Sequence, residues 1–209
     1  GLVNFKMKKP VSDKHILVES RQSVGSNNLF TSFNSVSGTT GNLGYYGYFN
    51  YKNGDGFRPN SGFESQNLYF YTDYKFGTNT TLGLDVTYLY YLAQQPGGLT
   101  DAQFYSDPFF SNRKRNWFEV DWRIASLRLE HQFSYRSQLS AQVYGLDASR
   151  KSVGFRTNRV SQQDDPDEPR DLILGNFNNW GAEVRFLNRY TLGDRNAVFL
   201  IGSKYYSSN

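Results

Sequence analysis

Cysteine is absent and methionine occurs once in the 209 residues, so disulfide frameworks and thiolate metal sites are excluded at the outset. No stretch approaches the roughly 18 consecutive apolar residues of a membrane-spanning helix. The opening GLVNFKMKKP also lacks the order of a basic start and apolar core that marks a secretory signal. The net charge of +4 comes from dispersed residues, with clusters only at Lys6–Lys9 and Arg113-Lys114-Arg115, so no nucleic-acid partner is expected. His15 and His131 have no acidic residues at metal-site spacing, and neither sits with a serine and a carboxylate in a catalytic arrangement. We therefore expect structural histidines, no resident metal or cofactor, and no enzyme.

What is abundant is aromatic: Phe 17, Tyr 16 and Trp 3. Rings at this density suit strands, and in a membrane barrel they also supply the girdles at the two interfaces. Between Thr81 and Phe155 the organisation is plainest. Leu82, Leu84, Val86, Tyr88 and Tyr90 alternate with Gly83, Asp85 and Thr87, which is a strand with one apolar and one wet face. It ends at Gln94-Gln95-Pro96-Gly97-Gly98, and a polar, aromatic loop runs to Asn116. Strands are expected at Trp117 to Phe133 and Leu139 to Ser149, with a turn at Ser134 to Gln138 between them.

A long loop at one end and a tight turn at the other is the pattern of a transmembrane β-barrel, whose strands need ~9–11 residues to cross the bilayer. The same alternation repeats outward from this centre. A short extended segment over Gly1 to Lys8 stops at Pro10, and strands follow at His15 to Val24, Leu29 to Ser37, Leu43 to Lys52 and Glu64 to Phe76. Beyond the centre, a polar loop over Arg150 to Asn176 leads to strands at Phe177 to Tyr190 and Ala197 to Tyr206. Tight turns are expected at Thr39 to Asn42, Gly77 to Thr80 and Leu192 to Asn196. Within Trp117 to Phe133 the apolar parity changes from Phe118, Val120, Trp122 and Ile124 to Leu127, Leu129 and Phe133, which predicts a β-bulge at Ala125-Ser126. Glu19, Arg21, Asp85, Glu119, Asp121, Arg123, Arg128, Glu130, Glu183, Arg185 and Arg189 are expected to face a hydrated interior.

The fold class is thus all-β: an antiparallel, up-and-down transmembrane barrel of about nine strands after a leading segment. Bacterial barrels close with even strand numbers, so an incomplete barrel is expected. A soluble antiparallel sandwich would pack Ile16, Val18, Leu84, Val86, Val184 and Phe186 into a closed core, whereas a barrel would leave them to lipid.

The opening GLVNFKMKKP resembles the strand that leaves the plug of TonB-dependent outer-membrane transporters. QQPGGLTDAQFYSD at Gln94 to Asp107, followed by RKRNWFEVDWRIASLRLEHQF, resembles the third loop and next strand of the ferric citrate receptor branch. The resemblance implies that residues 1–10 end a plug domain and that 11–209 are the N-terminal part of a barrel of about 22 strands. It further implies energy-coupled import of a ferric chelate, ferric citrate or a similar siderophore-like anion, in the outer membrane of a Gram-negative bacterium, with outer-membrane lipid around the barrel and TonB acting through the plug. By position, the resemblance makes Arg150 and Arg170 the candidate chelate-binding residues, on either side of the fourth external loop. Arg113, Arg115, Gln94 and Gln95 in the third loop join them, since guanidinium forks pair with carboxylates. The acidic run Asp164-Asp165-Pro166-Asp167-Glu168 is unlike the citrate receptor; without the spaced glycine of a calcium loop, it is read as solvated. A small structural or adhesive barrel without transport is the alternative.

Overall fold

A computed structural model of the chain describes residues 7–154, 159–162 and 164–208. Nine strands form one antiparallel sheet in sequence order: β1 Leu17–Val24, β2 Phe30–Thr40, β3 Leu43–Gly54, β4 Phe63–Phe76, β5 Thr80–Gln94, β6 Trp117–Gln132, β7 Ser137–Gly154, β8 Asp171–Leu192 and β9 Arg195–Ser208. This is the incomplete up-and-down barrel that the alternation predicts. Each strand pairs with the next in the chain, so successive connections alternate between the two rims. The connections β2–β3, β4–β5, β6–β7 and β8–β9 are the tight ones, and all four lie on one rim. Gly41, Gly77 and Gly193 take φ of 58°, 65° and 59° in three of these turns, a left-handed backbone that glycine adopts without a Cβ clash.

Partners in register share a face, so rows can be followed across the sheet. Near the tight-turn rim, one face presents Phe70, Leu84, Leu127, Val143 and Val184, all exposed. The other face of the same strands presents the row Asp73, Gly83, Arg128, Gln142, Glu183 and Lys204. Among the described residues no second layer covers the apolar face. Ile16, Val18, Leu84 and Val184 are exposed, and Val86 and Phe186 are half-buried, so none of the six sits in a closed core. An uncovered apolar band on a polar-backed sheet is stable when lipid is its solvent. Rings edge the band: Tyr74 and Phe76 lie 4.7 Å apart between centroids and His131 and Phe133 4.4 Å, while His131 Nδ1 meets Thr80 Oγ1 at 2.8 Å.

The polar face is the lumenal one, because the N-terminal segment packs on it. Lys8 Nζ pairs with Glu19 at 3.1 Å, Val11 N–H donates to Ser37 Oγ at 3.0 Å, and Thr39 Oγ1 donates to the Val11 carbonyl at 2.6 Å. A cleft of about 840 Å³ lies between residues 7–12 and a wall that includes Tyr69, Tyr71, Asp73, Asp85 and Arg128.

Several expectations are corrected. There is no bulge at Ala125-Ser126: the β5–β6 register is unbroken from Thr80↔His131 to Gln94↔Trp117, and β6–β7 from Gln132↔Gln138 to Trp117↔Val153. What changes there is the environment, not the parity. Leu127 and Leu129 face outward below Ala125, and on the same face above it stand Arg123, Asp121 and Glu119. Those three are therefore not in the lumenal charge network with Asp85, Arg128 and Glu130. They pair on the outward face, Arg123 with Asp121 at 2.9 Å and with Asp147 at 3.3 Å, and Glu119 with Lys151 at 2.8 Å. The nine residues from Ala125 to Phe133 extend over roughly 26 Å at ~3.3 Å per residue and fall within the ~9–11 residues of a membrane-crossing strand. Above that level the strand runs on outside lipid, where the wet face is the outer one. For the same reason β7 runs past Ser149 to Gly154, and β8 begins before Phe177, at Asp171. The expected leading strand falls mostly on residues 1–6, outside the described residues, and Met7 and Lys8 belong to no strand.

Candidate functional site: the outer loops and the lumenal wall

The loops of the far rim are fastened to one another. Gly56 and Asn60 take φ of 72° and 58°, which turns the 55–62 loop back over the rim. Asn60 Nδ2 then donates to the Gln95 and Asn116 carbonyls at 3.2 and 3.1 Å, and to that of Arg113. Arg58 donates to the Phe110 carbonyl at 3.3 Å and to that of Gly97. Within the 95–116 loop stands a short helix, α1 Asp101–Ser106, where a continuous loop is expected. Its signal is in the sequence: Thr100 and Gln103 form a capping box, Thr100 Oγ1 accepting from Gln103 N–H at 3.2 Å and Gln103 Oε1 from Thr100 N–H at 2.9 Å.

The same loop binds the next one through its basic run. Arg113 is 2% exposed and donates to the Asn112 and Arg159 carbonyls at 3.1 and 2.7 Å, and to that of Gln162. Burial pushes its pKa down. Arg115 reaches Asp164 Oδ1 at 2.7 Å and the Glu168 and Pro166 carbonyls at 3.0 and 3.3 Å. Arg170, just before β8, also pairs with Asp164 and has a side chain only 8% exposed. Asp164, 5% exposed, thus holds two guanidinium groups, and its pKa falls to about 2 chiefly through the hydrogen bond from Arg115. The acidic run is solvated only from Asp165 onward. Asp164 is the organising residue that periodicity could not reveal, because its partners are 49 and 6 residues away.

The expected chelate-binding residues therefore have distinct settings. Gln94 Oε1 accepts from Gly62 N–H at 3.1 Å, and Gln95 bonds through its backbone to Asn116 and Asn60. Arg113, Arg115 and Arg170 form the fastening just described. Arg150 stands apart from them, on the lumenal face of β7 in the row Val120, Arg150, Gly175. Its side chain is exposed, with the guanidinium carbon 5.0 Å from the Phe118 ring centroid. Among the described residues no group of histidines and carboxylates is placed to hold a metal ion.

No family model and no curated protein matches the sequence. Solved structures do match in fold. The ferric citrate transporter FecA in its unliganded form is similar with a TM-score of 0.72 and 22% identity over 91% of this chain. BauA, the ferric preacinetobactin receptor from Acinetobacter baumannii, is similar with a TM-score of 0.76 and 15% identity over 96%. The ferric-catecholate import receptor Fiu from E. coli K12 is similar with a TM-score of 0.71 and 12% identity over 96%. The chain spans 28%, 31% and 35% of the lengths of these three structures. In fold, the described residues form nine strands of an incomplete antiparallel up-and-down barrel, as in these three structures.

Proposed function

We propose that this chain is part of an outer-membrane receptor that imports a ferric chelate through a plugged β-barrel, energised by TonB through the plug. Residues 1–10 are read as the end of the plug and 11–209 as the first part of the barrel. The observation that carries the reading is the sheet's two-sidedness: an uncovered apolar band outside, a charged face inside, and the N-terminal segment fastened to that inner face by Lys8, Val11 and Thr39. The fold likeness to receptors named for ferric citrate, ferric preacinetobactin and ferric catecholates supports it. A small adhesive barrel would need closure within the chain, and among the described residues β1 and β9 remain the two edges of the sheet.

Ferric citrate is the cargo to which the Pro96-Gly97-Gly98-Leu99 loop points by resemblance. Arg113, Arg115 and Arg170 serve it, on this reading, by holding the loops in place, and Arg150 by meeting the anion. Uptake of iron-55 chelates by cells producing the complete receptor tests the import. Uptake should require both the receptor and the proton-motive force; iron entry indifferent to either would sink the proposal. In the purified receptor, Arg150→Ala should weaken chelate binding by about 1.5–3 kcal/mol, the usual size of a hydrogen bond to a charged group. The loss should be larger at low salt, where exposed charges are less screened; unchanged affinity at both salt levels would remove Arg150 from the site.

A further inference from the structure

On β1 and β2 the outward face interrupts its own apolar band. Ser20 and Asn34 are direct register partners there, and Gln22 and Ser32 are the next pair on the same face. Val18 and Val36 lie beyond them in one direction along the strands, and Val24 and Phe30 in the other, so the polar side chains form an island between apolar ones. β2 is 11 residues long, the length of a single membrane crossing, and its outward face therefore lies at lipid depth throughout. Phe49 and Leu68 carry the Asn34 row on across β3 and β4 as exposed apolar groups. Within the island, Ser20 Oγ donates to Asn34 Oδ1 at 2.7 Å, Gln22 Nε2 to Ser20 Oγ and Asn34 Oδ1 at 3.1 and 3.4 Å, and Asn34 Nδ2 to Ser32 Oγ at 3.0 Å. Among the described residues, these bonds leave Gln22 Oε1 without a donor and one Nδ2 proton of Asn34 without an acceptor. Strand tilt brings the two unmet groups toward one depth, because a register row climbs from β1 toward β9: Leu43 stands at the tight rim, whereas its partner Tyr74 stands above the turn that follows Phe76.

We propose that this island is the contact between two copies of the receptor lying side by side in the membrane, the Gln22 carbonyl of each accepting from the Asn34 amide of the other. The inference rests on the membrane-barrel part of the import reading. Lipid chains offer neither donor nor acceptor, so the unmet amide groups stay costly until another protein surface covers them. The bilayer selects a second copy as that surface. It fixes the depth and direction of every barrel, so two copies present the same residues at the same level about a two-fold axis along the membrane normal. An acceptor and a donor side by side at one depth are complementary to themselves under that rotation, and the flanking valines and Phe30 close around the amides.

The chain has no cysteine, so a single introduced one reports the contact. In outer membranes carrying the complete receptor, Ser20→Cys should give a disulfide-linked species of twice the receptor's mass on mild oxidation. Its yield should be at least about fivefold that of Leu84→Cys, which is exposed on the same outward surface away from the island. Added to Ser20→Cys, Gln22→Met keeps the side chain's length without its amide, and Asn34→Leu removes the donor; each should lower the yield about threefold or more. Should Asn34→Leu fail to assemble, Gln22→Met decides. Equal yields at Ser20→Cys and Leu84→Cys, or a yield that Gln22→Met does not move, overturn the pairing. A linked species of any other mass overturns it too, by placing a different protein on the island. Iron uptake by the same cells separates the two readings: uptake without linkage overturns the pairing alone, and linkage without uptake overturns import alone.

Discussion

Asp164 shows how much one side chain can organise when it is buried with the right partners. An enclosed carboxylate is costly unless its lone pairs are met, and here Arg115 and Arg170 both donate to Oδ1. Its pKa of about 2 lies below the ~3.9 of an unfolded aspartate. The stabilisation it contributes is therefore fully present above about pH 4 and is lost as pH falls through about 2. Because the sequence has no cysteine, a spin label can be placed at one position by Asp167→Cys. Its mobility should stay constant from pH 7 to pH 4 and rise between pH 4 and pH 2. With Asp164→Asn added, the label should be mobile throughout, and trypsin should cut after Lys114 and Arg115 roughly tenfold faster at pH 7, the effect of losing a charge-assisted hydrogen bond. A label equally immobile in both proteins would mean that the loops are held by something else.

At the scale of the strand, β6 shows why periodicity has to be read with the solvent in mind. Parity of side chains is a property of the backbone, but which parity is apolar depends on whether the outer face meets lipid or water. The change at Ala125 marks the crossing from one to the other with the ladder intact. Leu129→Arg, midway along the lipid-facing run, should cost about 2–4 kcal/mol of folding stability in bilayers, whereas Asp121→Arg above the boundary should cost about 0–1 kcal/mol. Deleting Ala125 separates a bulge from a continuous strand. It would regularise a bulged strand, but here it should turn Leu127 and Leu129 into the lumen and abolish assembly. Equal costs for the two arginines, or a well-assembled deletion variant, would return the boundary to the bulge reading.

For the whole molecule, the alternation of rims fixes a topology relative to the membrane. An epitope inserted between Asp165 and Glu168 should be reached by antibody on intact cells, while insertions at Gly77–Asn79 or at Gly193-Asp194 should be reached only after the outer membrane is opened. Labelling of both sets from outside would contradict the barrel orientation. The same view explains where the stability of so thin a structure lies. Among the described residues there is no two-layered core, and buried apolar groups such as Tyr46 and Tyr69 are few. Packing is instead between neighbours in the sheet, as in the Tyr46, Tyr48 and Tyr69 rings at 5.8–6.2 Å, with lipid supplying the rest on the outer side.

The amino-acid sequence by itself determined the fold class, the nine strands, the four tight turns and the rim on which they lie, because period-2 polarity and turn residues are local properties of the chain. It also carried the capping box of α1 in Thr100 and Gln103 without the helix being read from it, but it left Arg170 inside an expected loop over Arg150 to Asn176, whereas β8 begins at Asp171. Tertiary structure alone decided which of the basic residues are spent in holding loops together and which stays accessible. Arg113 and Arg115 meet carbonyls and a carboxylate some 46 to 53 residues away, a pairing that no local pattern encodes. The level of the membrane was likewise decided in three dimensions. The switch in which parity is apolar at Ala125 is visible in the string, but only an unbroken register tells an environment that changes from a backbone that slips.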